Sequence, residues 1–180
     1  MGERCEVITG NTPSHADPGN YGDYIEWIKT DNIVDGHLTA AAVSLSKKAL
    51  SRARHVGAGS LLMTCVAGRT GTIGNCAIAD REVSFNQQIN ALTPRVDSPA
   101  FLLYLFKLAK CVLVGDLKRC LKGYVSKSGL SAKRFPFPDV ALQREFASFA
   151  EKVEKLKAEA KRSAEQLDVL YRSKLQDYFG

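Results

Sequence analysis

The stretch that follows Phe135-Pro136-Phe137-Pro138 constrains this chain more than any other. It holds no proline or glycine before Gly180, so nothing in it stops a helix. Phe146, Phe149, Val153, Leu156, Ala160, Ser163, Leu167 and Leu170 recur at alternating three- and four-residue steps. That spacing holds one apolar seam on one side of a helix. A single helix cannot bury its own seam, so the chain is expected to lay it against a second helix, from its own copy or from a partner. The small residues Ala160 and Ser163 let two such helices approach closely. Glu151 with Lys155 and Asp168 with Arg172 are correctly ordered four-residue pairs for a solvated outer face. Near Lys174 the stripe shifts to Tyr171, Leu175 and Tyr178, and the last turns are expected to touch something other than the coil partner.

A chain of 180 residues is about one domain with room for an appended element. At 45% hydrophobic it can bury a core. The formal charge of +6 suits nucleic acid or an acidic protein surface, though many ordinary proteins match it. Cys5, Cys65, Cys76, Cys111 and Cys120 are an odd set without C-x-x-C spacing, and His15, His37 and His55 do not cluster with them. The cysteines are therefore expected to be small buried residues in a reducing cytoplasm, with no disulfide frame and no zinc. No signal peptide opens the chain, and Glu6 stands where a myristoylation motif needs Ser or Thr. The apolar run 101–114 is short for a membrane span and is interrupted by Lys107 and Lys110. A soluble, cytoplasmic protein with no membrane partner is expected.

Before the seam the pattern is mixed. Gly10-Asn11-Thr12-Pro13-Ser14 ends a short apolar run as a turn, and Ile25 to Ile28 forms a buried segment around Trp27. Thr39 is placed to cap a helix running to about Arg54, with Lys47, Lys48, Arg52 and Arg54 on its open face. Strands are expected over 60–66, 76–79 and 84–92. Ser98-Pro99 opens a helix to about Leu113, apolar nearly all round and so central to the core. Asp139 is placed to cap the last helix. The fold class is α+β: a mixed domain over 1–136, then one long helix over 137–180.

Three catalytic possibilities fail on their residues. The turn Gly68-Arg69-Thr70-Gly71-Thr72-Ile73-Gly74 is followed by Asn75-Cys76, whereas a phosphate loop needs Lys-Ser or Lys-Thr there. A dinucleotide loop needs a helix next, and here a strand follows. Asp139 and Glu159-x-Lys161 resemble a nuclease metal signature, but on one helix the two acids stand about 30 Å apart. No Ser/His/Asp or Cys/His arrangement is readable.

Taken in order, the segments resemble type I restriction-modification specificity subunits. Gly10 to Ser14 is similar to that family's opening turn, and Ile25-Glu26-Trp27-Ile28-Lys29-Thr30-Asp31-Asn32-Ile33 to its Trp-Ile-x-x-x-Asp-Ile stretch. Gly59 to Thr64 through Gly71 to Gly74 resembles its strand-turn-strand core, and Phe85 to Leu92 its Asn-Gln strand. Phe135 to Pro138, with Gln143 and Phe146 after it, resembles the start of its conserved helix. The likeness covers nearly the whole chain. It departs where Gly68-Arg69-Thr70 enlarges a turn, and where Tyr124 to Leu130 matches the family's Gly-Ser-Thr lead-in only loosely.

The resemblance implies a DNA specificity subunit without catalysis of its own. It implies one target-recognition domain and one helix where full-length members carry two of each. Partner modification subunits would bring S-adenosylmethionine and adenine N6 methylation, and restriction subunits ATP- and Mg-dependent cleavage, so no cofactor is expected on this chain. A homodimer through antiparallel helices would read an interrupted palindrome in double-stranded DNA. The expected DNA-facing residues are Lys29, Thr30, Lys47, Arg52, Arg54, Arg69, Thr70, Gly71, Thr72, Ser126 and Lys127. The competing expectation is a regulatory coiled-coil protein whose basic domain meets an acidic protein.

Overall fold

A computed structural model describes residues 1–66, 72–115 and 124–180. The strands are β1 (Cys5–Thr9), β2 (Tyr21–Gly22), β3 (Ile25–Ile28), β4 (Ile33–Val34), β5 (His37–Leu38), β6 (Ser44–Leu45), β7 (His55–Val56), β8 (Leu61–Thr64), β9 (Cys76–Ile78), β10 (Val83–Phe85) and β11 (Ile89–Pro94). The helices are α1 (Lys47–Leu50), α2 (Pro99–Leu108), α3 (Lys110–Gly115), α4 (Lys127–Ala132) and α5 (Val140–Phe179). The α+β class expected from the sequence is what the chain adopts.

Among the described residues, strand alternation builds two of the three core clusters from one sheet. In the antiparallel sheet β1-β11-β8-β9, Leu61, Met63, Cys76 and Leu92 face α2 and α4, where they meet Leu102, Phe106 and Leu130. Leu62, Ala77, Ile89 and Ala91 face the other way, onto Ile28, Val83 and Phe85 of the second sheet, β2-β6-β3-β10-β7. Both faces are covered, which is why β8 is apolar at consecutive positions rather than at alternate ones. The far face of the second sheet buries Ile25 and Trp27 with Leu45, Ala49 and Ala53.

Four local expectations are corrected. No helix runs from Thr39 to Arg54. Ala41 N–H donates to Glu26 Oε1 at 2.9 Å and Leu45 pairs with Ile25, so partners distant in sequence hold this stretch extended. Only one turn, α1, remains helical, capped by Ser46. The stretch 84–92 is two strands, because Asn86 Oδ1 accepts the Gln88 N–H at 3.1 Å and turns the chain between β10 and β11. The helix opened by Ser98, whose Oγ accepts Phe101 N–H at 3.4 Å, breaks at Ala109 into α2 and α3. It is not buried all round, since Leu108 is 81% exposed. Finally, Asp139 sits at the cap of α5 without a side-chain cap bond.

Gln143 fastens the first turn of α5 instead. Its amide donates to Pro138 C=O at 2.9 Å and to Asp97 Oδ1 at 2.8 Å, while its Oε1 accepts Ser98 N–H at 3.0 Å. Arg4 Nε donates to the other oxygen of Asp97 at 2.9 Å. Phe146 packs edge-on to Phe101 and Tyr104 of α2. Beyond Val153 every residue of α5 is exposed, including Leu156, Leu167 and Leu170 of the seam. Among the described residues, no helix is long and apolar enough to cross a membrane.

Candidate nucleic-acid interface

Asn11 organises one end of the four-stranded sheet. Its backbone N–H donates to Phe85 C=O at 3.1 Å, and its carbonyl accepts Trp27 Nε1–H at 3.3 Å. Its side chain donates to Arg52 C=O at 2.9 Å and accepts Arg54 N–H at 2.8 Å. Four segments distant in sequence therefore meet on one turn. Gly10 makes this possible. A Cβ there would lie 2.2 Å from Asn86 O and 2.4 Å from Phe85 O, inside any tolerable contact.

From this turn a chain of hydrogen bonds crosses the sheet end. Arg54 Nη1 donates to Thr9 C=O at 2.7 Å. Thr9 Oγ1 donates to Asn90 Oδ1 at 2.7 Å, and Asn90 Nδ2 donates to Val125 C=O at 3.0 Å. Val125 N–H in turn reaches Cys65 C=O at 2.8 Å. The next residue, Ser126, caps α4 by accepting Gly129 N–H at 2.9 Å, and Lys127 stands exposed beside it. Asn90 is fully buried yet paired on both sides, so the rim is stiff rather than loosely tethered.

The expected residues are thus partly assembled. Arg52, Arg54, Ser126 and Lys127 lie along this rim. Thr72 joins them, because its carbonyl accepts Asn75 N–H at 3.0 Å in the turn where Gly74 N–H donates to Thr64 C=O, at the end of β8. Lys29 is tied in through Trp27, with its ammonium 5.1 Å from the indole centroid. Thr30 starts the 3-10 turn Thr30–Asn32 after it and is half-buried. Lys47 does not share a helical face with Arg52 and Arg54 as expected, because the helix that would align them is absent; its ammonium lies over Tyr24, 5.9 Å from the ring centre. Arg69, Thr70 and Gly71 lie outside the described residues. So do Gly68 of the enlarged turn and Cys120.

Three further residues on this rim belong to sequence motifs that carry no expected DNA-facing role. Asn11 is the hub. Thr12 hydroxyl donates to the Gln87 side chain, and Gln87 is exposed on the turn between β10 and β11. Their sequence signal is two turns rich in amides and hydroxyls, which fit hydrogen bonding to base edges. One neighbouring acid is engaged: Lys48 holds the Asp17 carboxyl below its usual value by a hydrogen bond of 2.8 Å, with help from Gly19 N–H. Exposed cations, amides and hydroxyls on one stiff rim suit a polyanion with readable edges.

The cysteines stand aside from this. Burial pushes the Cys65 thiol up to about 12, so it stays protonated next to the rim. Cys5 and Cys76 are buried as expected, whereas Cys111 is exposed. Among the described residues, no three His, Cys, Asp or Glu side chains gather as a metal site.

A family model for the type I restriction modification DNA specificity domain matches residues 1–167. No curated protein matches by sequence. The chain is similar in structure to one solved in a study of complex assembly and conformational transition of the type I R-M system. The TM-score is 0.72 at 20% identity, over 91% of this chain and 39% of that one. It is also similar to the HsdS subunit from Thermoanaerobacter tengcongensis, with TM-score 0.67, 19% identity, and coverage of 90% and 38%. The type I restriction-modification S subunit from M. genitalium gives TM-score 0.59 and 13% identity, over 99% and 44%. The chain therefore spans about two fifths of the length of these solved chains, and the likeness establishes a shared fold.

Proposed function

Because the chain belongs to the type I restriction-modification DNA specificity family, we propose that residues 1–136 read one half of a bipartite duplex target and residues 137–180 set the distance to the other half. The chain supplies recognition. Modification subunits joined to it supply S-adenosylmethionine and adenine N6 methylation, and restriction subunits supply ATP- and Mg-driven cleavage in the same cytoplasmic complex.

The observation that carries this is the rim centred on Asn11, where Lys29, Arg52, Arg54, Thr72, Ser126 and Lys127 are drawn to one sheet end. Lysine and arginine there neutralise phosphates and give affinity without sequence choice. The exposed Gln87 and Thr12 supply donors and acceptors for choosing bases. Thr30, Lys47, Arg69, Thr70 and Gly71 are further proposed DNA contacts.

The seam of α5 supports the second half of the proposal. Leu156, Leu167 and Leu170 are exposed on a helix whose first turns are already docked. Two copies joined antiparallel through that seam place two identical reading domains at opposite ends, and a two-fold axis requires an interrupted palindrome. The test is to express the chain with a modification subunit and sequence the methylated adenines. An interrupted palindrome is expected; methylation at an unsplit or asymmetric site would overturn the dimeric reading.

A further inference from the structure

The flank of α5 that rests on its own domain recurs every seven residues. Gln143 bonds to Asp97 and Ser98, Ala150 is buried, and Lys157 lines a groove with Tyr104 and Lys107. Steps of seven hold nearly one direction on a helix. Continued, the same flank carries Ala164, Tyr171 and Tyr178. Tyr171 is 64% and Tyr178 79% exposed, with Leu175 between them. The flank is thus apolar again at the far end, where its own domain no longer lies beneath it.

An antiparallel pair settles what that far end meets. The seam pairs Phe146 with Leu170, Phe149 with Leu167, Val153 with Ser163 and Leu156 with Ala160, large against small around the axis. Sliding by one heptad brings Asp139, or Lys174 and Asp177, into the seam, so this register is favoured. Within it Tyr171 is level with Glu145 of the second copy. Helical side chains lean toward their own N-terminus, which carries the phenol toward the second copy's Phe146 and Phe149. In antiparallel pairs this flank of both helices lies on one side of the coil, so the far end of each helix arrives beside the other copy's α2. There a groove of about 580 Å³ is open between α2 and α5. It is lined by Tyr104, Leu108, Phe149 and Val153, and Leu108 and Phe149 are mostly exposed. Apolar surface of this kind marks a contact site.

We propose that Tyr171, with Leu175 and Tyr178 behind it, docks in this groove on the second copy. Each helix end is then clamped to the other copy's domain, and the separation of the two domains is fixed at both ends of the coil. The proposal rests on the pairing of α5 described above.

Site-specific cross-linking tests it. In chains with Cys111 and Cys120 replaced by Ser, a Leu108→Cys chain is co-expressed with a Tyr171→Cys chain and treated with a short bis-maleimide. Along the helix Tyr171 stands about 31 Å beyond Ala150, so a bond within one chain is out of reach. A covalent dimer is expected with the mixture and with neither chain alone. Val153→Cys with Ser163→Cys reports the seam independently. Cross-linking of that pair but not of Leu108→Cys with Tyr171→Cys overturns the docking and leaves the coil standing. A monomer in sedimentation, with neither pair linked, overturns both. Tyr171→Ser with Tyr178→Ser is expected to raise the dimer dissociation constant at least tenfold, and an unchanged constant counts against the clamp.

Discussion

Gln143 and Asp97 are both buried, and the Gln143 amide donates to the Asp97 carboxylate at 2.8 Å. Every polar atom of Gln143 is used: one oxygen for Ser98 N–H, one amide for Asp97 and Pro138. The pair is the joint between the mixed domain and α5, and it fixes the angle at which the helix departs. Gln143→Leu strands the Ser98 N–H and removes a donor from Asp97. Each buried group left unpaired costs about 1–3 kcal/mol, so the urea midpoint is expected to fall. If the helix sets the spacing between two half-sites, the same variant loosens the spacer preference when methylated adenines are sequenced. An unchanged midpoint would show the joint to be held by the Phe146 contacts instead.

What is legible in the sequence divides along the range of the interactions. The Ser98 cap, the strand β8 and the length of α5 depend on neighbours within a few residues, and spacing alone displays them. The helix expected from Thr39 fails because its competitors, Glu26 and Ile25, are far away in the chain. Gln143 can be seen as a motif residue but not as a joint, since Asp97 lies well upstream of it. The same holds for the rim: Arg52 and Arg54 stand out by their charge, whereas Asn11, which positions both, has no charge to betray it.

Gly10→Ala tests the hub directly. The added methyl would sit on two backbone oxygens, which cannot move without opening the turn between β10 and β11. Overpacking of this kind costs about 1–3 kcal/mol and more when backbone must shift. Thermal denaturation should show the loss, and any chain that still folds is expected to bind duplex DNA more weakly, because Arg52 and Arg54 lose their common anchor.

Arg52→Ala together with Arg54→Ala tests the phosphate role. Removing one cation that neutralises a phosphate is expected to lower the slope of log affinity against log salt by about 0.9, or about 2 for the pair. Arg54 also donates to Thr9 C=O, so circular dichroism is needed to show that the rim is intact. A folded variant with an unchanged slope removes these two residues from the interface.

Glu26 carries a pH dependence whose sign is fixed by its partners. The hydrogen bond from Arg81, then the Ala41 N–H, hold its carboxyl below the ordinary value of 4.5 against the opposing effect of burial. The unfolded chain therefore takes up the proton first. The Glu26 contribution to stability is complete above pH 4.5 and is lost as the pH falls from there through the lowered native value. Glu26→Gln is expected to be less stable than the parent near neutrality and to show a shallower decline over that acid window. Parallel declines of parent and variant in denaturant titrations would mean that the ion pair is not what holds 39–41 extended.

Leu156→Asp with Leu167→Asp addresses the seam itself. Both positions are largely exposed in the single chain, so the substitutions leave the core of the mixed domain untouched. Circular dichroism and thermal unfolding of that domain should change little. In the proposed register Leu156 meets Ala160 and Leu167 meets Phe149 of the second copy, so two carboxylates per chain would be buried against apolar partners. Burial of unpaired charge is prohibitive, and the helices separate instead. Sedimentation is expected to give a monomer that still binds a half-site but no longer distinguishes a correctly spaced two-part target from a misspaced one. A variant that stays dimeric places the contact on another face of α5; one that is monomeric yet keeps its spacing preference removes the helix from the role of ruler.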